Sequence, residues 1–165
     1  MTRAAFLLER VSVGIGVTVA WLGIPAMIIL AALEPLARWF GFAGDAPFNE
    51  ASTAAFLATT MTSFGYAYAA GAHVRLDLLS RRVPLRLNAT IELAGTLLIL
   101  LPLCAVIVVD GTDSAWRSFQ QGERWAATGW ALQWVVRAWV PLGFLLLMLA
   151  GIASALRSLL SLSGK

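Results

Sequence analysis

One histidine, one cysteine and a few scattered carboxylates are all that this sequence offers for chemistry. His73 is followed by Arg75 and Asp77, and a lone imidazole cannot supply the paired axial ligands of a b-type haem or a histidine-rich metal site. On a continuous helix His73 and Asp77 share a face four residues apart, so they read as a structural cap where a helix leaves the membrane, with a pH-sensitive contact as the alternative. Cys104 sits in an apolar run, where a small buried hydrophobe is expected rather than a reactive thiol, and a single cysteine forms no disulfide within the chain. There is no Cys/His cluster, Gly-rich phosphate loop, Gly-x-Ser-x-Gly elbow or pair of intramembrane carboxylates. The expectation is a protein without catalytic, cofactor-binding or metal-binding residues.

The elements that carry these residues follow from composition. The chain is 59% hydrophobic and 13% charged, with a mean hydropathy of +0.79, more apolar surface than a soluble domain of this length can hide. The expected class is an all-α integral membrane protein forming one domain over 1–165. The net charge of +3 does not point to nucleic acid, because the basic residues cluster beside apolar runs, where topology explains them.

Four spans are marked by where charge stops, at about 11–33, 51–72, 92–109 and 137–156. Val11–Leu33 is uncharged and too long for the apolar region of a signal peptide, so it reads as a retained first helix. Ala51–Ala72 is equally uncharged but carries Ser52, Thr53, Thr59, Thr60, Thr62 and Ser63, and is expected to face protein more than lipid. Glu9, Glu34, Glu92, Asp110 and Arg137 all fall at or near span ends, so no mid-membrane coupling site is expected in this chain.

Loop charge orients the bundle. Arg75, Arg81, Arg82 and Arg86 against Asp77 make residues 73–86 the most positive connection, which places it in the cytoplasm together with both termini. These four arginines are candidate inner-interface anchors. Their interleaving with leucines predicts an amphipathic elbow in the interface, interrupted by Pro84. On the outer side, Asp110–Gly129 mixes Trp116, Phe119 and Trp125 with charged residues, predicting short helical pieces at the membrane surface. Trp130, Trp134, Trp139 and Arg137 are candidate outer anchors or docking contacts, Arg137 reaching lipid phosphate or a partner subunit. Trp21 alone among the tryptophans falls within the first span.

Small residues indicate close packing. Ala51, Ala55, Ala58, Gly65 and Gly71 give the second span a slim surface, suited both to the chain's own bundle and to another subunit. Pro25, Pro102 and Pro141 fall within or at the start of three spans, where each lost backbone bond needs local compensation.

The run Gly65-Tyr66-Ala67-Tyr68, followed by Gly71-Ala72-His73-Val74-Arg75-Leu76-Asp77, resembles the exit of the second helix in the DctQ-like small membrane subunit of tripartite ATP-independent periplasmic (TRAP) transporters. Glu50, Arg81-Arg82-x-Pro84 and Pro141-Leu142-Gly143-Phe144 extend the resemblance across all four spans, while Glu34–Phe40 departs from the family's arginine-aromatic ending. The resemblance implies a non-enzymatic subunit of a secondary transporter in the bacterial inner membrane. A large multi-span subunit would carry the substrate and sodium sites and move as an elevator, this chain would join the static scaffold, and a periplasmic binding protein would deliver an organic acid. Membrane lipids would be its other contacts, and nucleic acid would not. Two other classes stay open: a membrane anchor or assembly subunit of a respiratory complex, and an autonomous small exporter, which the lack of an ionisable residue in Val11–Leu33 disfavours.

Overall fold

The computed structural model describes residues 3–41, 48–69, 85–125, 129 and 131–162, and the architecture is all-helical. Helix α1 covers Arg3–Trp39, α2 covers Phe48–Ala69, α3 covers Leu85–Gly95, α4 covers Leu101–Gln121 and α5 covers Gln133–Leu162. A π-helical turn, Thr96–Leu100, joins α3 to α4 without a break, so the described residues form four rods.

That turn answers the problem set by Pro102. A proline mid-helix has no N–H and crowds the preceding turn, which a stretch of wider helix relieves. Here the Leu101 N–H reaches back to the Thr96 carbonyl, five residues earlier.

Three rods are long and apolar enough to cross a membrane: Arg10–Trp39, Ala89–Gln121 and Gln133–Leu159. The second rod, α2, owes its lower hydropathy to its hydroxyls, and four of these are satisfied within the helix. Thr53 donates to the Asn49 carbonyl at 2.9 Å, Thr59 to Ala55 at 2.7 Å, Thr62 to Ala58 at 2.8 Å and Ser63 to Thr60 at 2.8 Å. Each bond returns a hydroxyl proton to the helix that carries it, so the polarity of α2 costs little away from water.

Helix α5 is the hub and contacts every other rod. Of its apolar window 44% is buried inside the chain, against 6% for α1 and 11% for the α3–α4 rod. Leu146, Leu147, Ala150, Ala153 and Ala155 form its buried face. Gly16 on Thr62 and Gly23 on Thr59 run α1 antiparallel to α2, and Gly143 on Met61 with Gly65 on Leu146 run α2 parallel to α5, so α1 is antiparallel to α5 as well. Gly111 on Pro141 and Gly151 on Leu100 likewise run α4 antiparallel to α5. The start of α1 and the end of α5 therefore share one end of the bundle.

One expectation about the rods needs correction. Short helical pieces were expected within Asp110–Gly129, but α4 continues unbroken through Asp110 to Gln121. No proline intervenes, and the Arg117–Asp113 ion pair, one turn apart, supports the extension. Helix α1 also extends beyond the expected span of 11–33, through Pro35 to Trp39, braced by Arg38 and Glu34 at 2.6 Å. The inner elbow falls in residues 70–84, outside the described residues.

Candidate functional site

Two features hold the rods in one arrangement: seams of small residues between helices, and a charged clasp at the end of the bundle remote from the start of α1.

The seams are built where a glycine lets another backbone approach. A Cβ added to Gly143 in α5 would lie 2.7 Å from the Met61 carbonyl carbon, and one added to Gly65 in α2 would lie 3.0 Å from the Leu146 oxygen. On α1, Gly16 faces the Thr62 carbonyl and Tyr66, and Gly23 faces the Thr59 side chain. Ser12, fully buried, donates to the Leu146 carbonyl at 3.2 Å and ties α1 to α5 at the same level. Phe64 and Phe144 meet edge-to-face at 5.8 Å beside this seam. Such contacts substitute dispersion between closely placed backbones for the hydrophobic effect, which is absent between helices in lipid.

The clasp begins with the way α4 ends. Gly122 adopts φ +60°, its N–H bonds the Phe119 carbonyl, and the Glu123 N–H bonds Ser118, a complete Schellman turn. Such turns are usually sealed by an apolar contact between the residues that here are Ser118 and Glu123. In their place the Ser118 hydroxyl donates to Glu123 Oε2 at 2.7 Å. The reversed chain points Glu123 at α5, where Arg137 Nη2 meets it at 2.6 Å and Arg137 Nη1 donates to Ser114 at 3.3 Å. Arg137 thus bridges α4 and the turn that follows it, and with Asp110, Asp113, Arg117 and Gln121 it borders an open cleft of about 360 Å³. The adjoining face of α4 is aromatic: Trp116 stacks on Phe119 at 5.7 Å, and Phe119 meets Trp134 edge-to-face at 5.5 Å.

Gly122→Ala tests the turn. Only glycine takes this φ without strain, so alanine is expected to lower stability in detergent by about 1 kcal/mol and to release the Ser118–Glu123 contact. The readout is denaturant titration combined with hydrogen exchange over Asp110–Gln121.

Among the residues singled out from sequence, Arg137, Trp134 and Trp139 lie on α5, with Trp134 partly exposed and Arg137 and Trp139 half-buried. Arg137 finds its counter-charge in Glu123 of its own chain. Ala58 and Gly65 are buried among the chain's own helices, whereas Ala51 and Ala55 are half-exposed. Gly71, His73, Arg75, Asp77, Arg81, Arg82 and Trp130 lie outside the described residues, and Arg86 is placed only as a backbone position in α3. Sequence reading missed Ser12, Gly16 and Gly23 on α1, although their spacing was available as a signal. It also missed Ser114, Ser118 and Glu123, where Gly122 marked the helix stop.

Nothing in this geometry resembles a reaction centre. Among the described residues no group of three or more histidine, cysteine or acidic side chains could hold a metal ion. The family model described as "Tripartite ATP-independent periplasmic transporters, DctQ component" matches residues 27–161. The chain belongs to the DctQ family.

As a DctQ chain it is the small membrane component of a TRAP transporter, a non-catalytic subunit resident in the inner membrane. Membership decides against a respiratory anchor or an autonomous exporter. The matched stretch covers the seams of α2 and α5, the clasp and the Gly71–Asp77 motif. Neither the curated proteins nor the solved structures yield a match to the chain.

Proposed function

We propose that this DctQ chain is a static scaffold that holds the large, elevator-type component of a sodium-coupled TRAP transporter in the bilayer, for uptake of an organic acid delivered by a periplasmic binding protein. The observation that carries the reading is the α2–α5 seam, where Gly143 and Gly65 bring backbone against backbone. Helices seated in this way resist sliding, as a stationary part must while its partner moves. Helix α2 serves as a fourth span, with Thr53, Thr59, Thr62 and Ser63 bonded internally and Ala51 and Ala55 available to the large component.

In this reading both termini and residues 70–84 face the cytoplasm. Arg75, Arg81, Arg82 and Arg86 anchor the inner interface, with His73 and Asp77 capping the helix exit. Trp130, Trp134 and Trp139 anchor the outer one, where the clasp around Arg137 stands. Lipid contact at both levels opposes tilt. Substrate and sodium sites belong to the large component.

Purification of the chain from its native membrane in mild detergent tests the proposal. A large multi-span protein should be retained, with a periplasmic binding protein captured after crosslinking. Recovery of a homo-oligomer alone, or of redox subunits, would overturn it. A second expected outcome concerns the anchors: replacing Arg81, Arg82 and Arg86 together by Gln removes most of the charge that orients the chain. Recovered complex and the correctly oriented fraction, read by accessibility of a terminal tag, should both fall, while relative uptake of different substrates stays unchanged. Intact assembly with altered selectivity would contradict a scaffold role.

A further inference from the structure

Helix α1 carries two faces. One holds Ser12, Gly16 and Gly23 against α2 and α5. The other, Gly14, Thr18, Trp21, Pro25 and Ile28 at successive turns, is exposed along its whole length, and nothing lies within 4 Å of where a Gly14 side chain would begin. Trp21 stands near the middle of the span and is 78% exposed.

A tryptophan at that depth is unusual. Indoles collect at membrane interfaces, where the ring is in apolar surroundings and the N–H meets water or a headgroup. Midway through the hydrocarbon the N–H needs an acceptor, and among the described residues Trp21 has none. A second group beside it has lost its usual partner. The carbonyl of Trp21 would ordinarily accept from the amide four residues on, which is Pro25 and has no N–H. One outward surface thus presents a donor and an acceptor at the bilayer midplane, and hydrocarbon satisfies neither. Thr18 adds no demand, because its hydroxyl donates to the Gly14 carbonyl at 2.8 Å.

We infer that the Gly14–Thr18–Trp21–Pro25 face of α1 is the seat of a transmembrane helix of the transporter's large membrane component. That helix would present an uncharged polar side chain, Asn, Gln, Ser or Thr, able to accept from the Trp21 indole and donate to its freed carbonyl. Gly14 leaves room for close approach beside them. The inference rests on the scaffold reading, which supplies a second membrane component to cover the face.

The test is in-membrane photocrosslinking of the assembled transporter. A benzoylphenylalanine at position 21 should crosslink to the large component, while one at Leu98, 76% exposed on the π-helical turn, should not. Trp21→Phe, which keeps an aromatic ring and loses the N–H, should weaken retention of the large component by about three- to tenfold. The same substitution should leave the denaturation midpoint of the isolated chain unchanged, because Trp21 supports nothing inside it. Co-purification of the large component without a crosslink from position 21 would overturn this inference and leave the scaffold reading intact. A crosslink to a second copy of this chain would likewise overturn it. Absence of any large component from wild-type preparations would instead remove the scaffold reading itself.

Discussion

Replacing Gly143 by Leu is expected to disrupt the centre of the bundle, because the new side chain would have to occupy space already filled by the backbone of α2. Its Cβ would fall 2.7 Å from the Met61 carbonyl carbon. A main-chain atom inside a helix cannot swing aside as a side-chain tip can, so α2 and α5 must separate. Separation would also pull Gly65 from Leu146 and loosen the Phe64–Phe144 contact. The expected loss is about 3 kcal/mol or more, at the upper end of overpacking effects. Denaturant titration of the purified chain in detergent would show it as a lower midpoint, and copies that remain folded should fail to retain the large component. Gly95→Ala is the matched control. Nothing lies within 4 Å of its added methyl, and alanine favours a helix over glycine by about 1 kcal/mol, so stability should hold or rise. Equal losses at both positions would mean that glycine serves backbone conformation here and not close approach.

The second large effect is expected at Arg137. Its removal as Arg137→Ala leaves Glu123 half-buried without its counter-charge and takes a donor from Ser114. Both members of the pair are partly exposed, with side chains at 39% and 29%, so solvent screens much of the interaction. The expected cost is therefore about 1–2 kcal/mol, below that of a fully buried pair. Removing Glu123 as well should restore part of it, giving a coupling of about 1 kcal/mol in a double-mutant cycle. Arg137→Lys should recover less than half. The guanidinium uses two nitrogens, one for Glu123 and one for Ser114, and an ammonium is a single point charge. The change should also be local: hydrogen exchange should accelerate over Asp110–Gln121 while the Gly65–Leu146 region stays protected. Additive losses in the cycle would show that the two residues act separately and would remove the clasp.

These effects differ in how far they were legible beforehand. The absence of mid-membrane charge, the apolar runs and the basic segment around Arg81 can be read directly, because transfer free energy depends on composition and hardly on arrangement. The all-helical class follows for the same reason, since an isolated backbone in lipid must bond to itself. Helix ends were less accessible. Charge at Asp110 suggested an exit from the membrane, yet leaving the hydrocarbon does not oblige a helix to stop, and α4 continues until Gly122 supplies the left-handed turn.

The face each small residue presents was the least legible part. Ala58 and Gly65 suit a neighbouring subunit or the chain's own helices equally well, and only the placement of α1 and α5 shows that they are already covered. Arg137 is similar. Lipid phosphate, a partner or Glu123 could each satisfy it, and the choice depended on a Schellman turn bringing residue 123 back to α5. Class, membrane location and the non-catalytic character were therefore determined by the sequence alone, because they are sums over residues that need no partner to be named. The helix order around α5, the glycine seams, the clasp and the outward turn of Trp21 were decided only by tertiary structure, because each depends on which residue far along the chain occupies the space beside it.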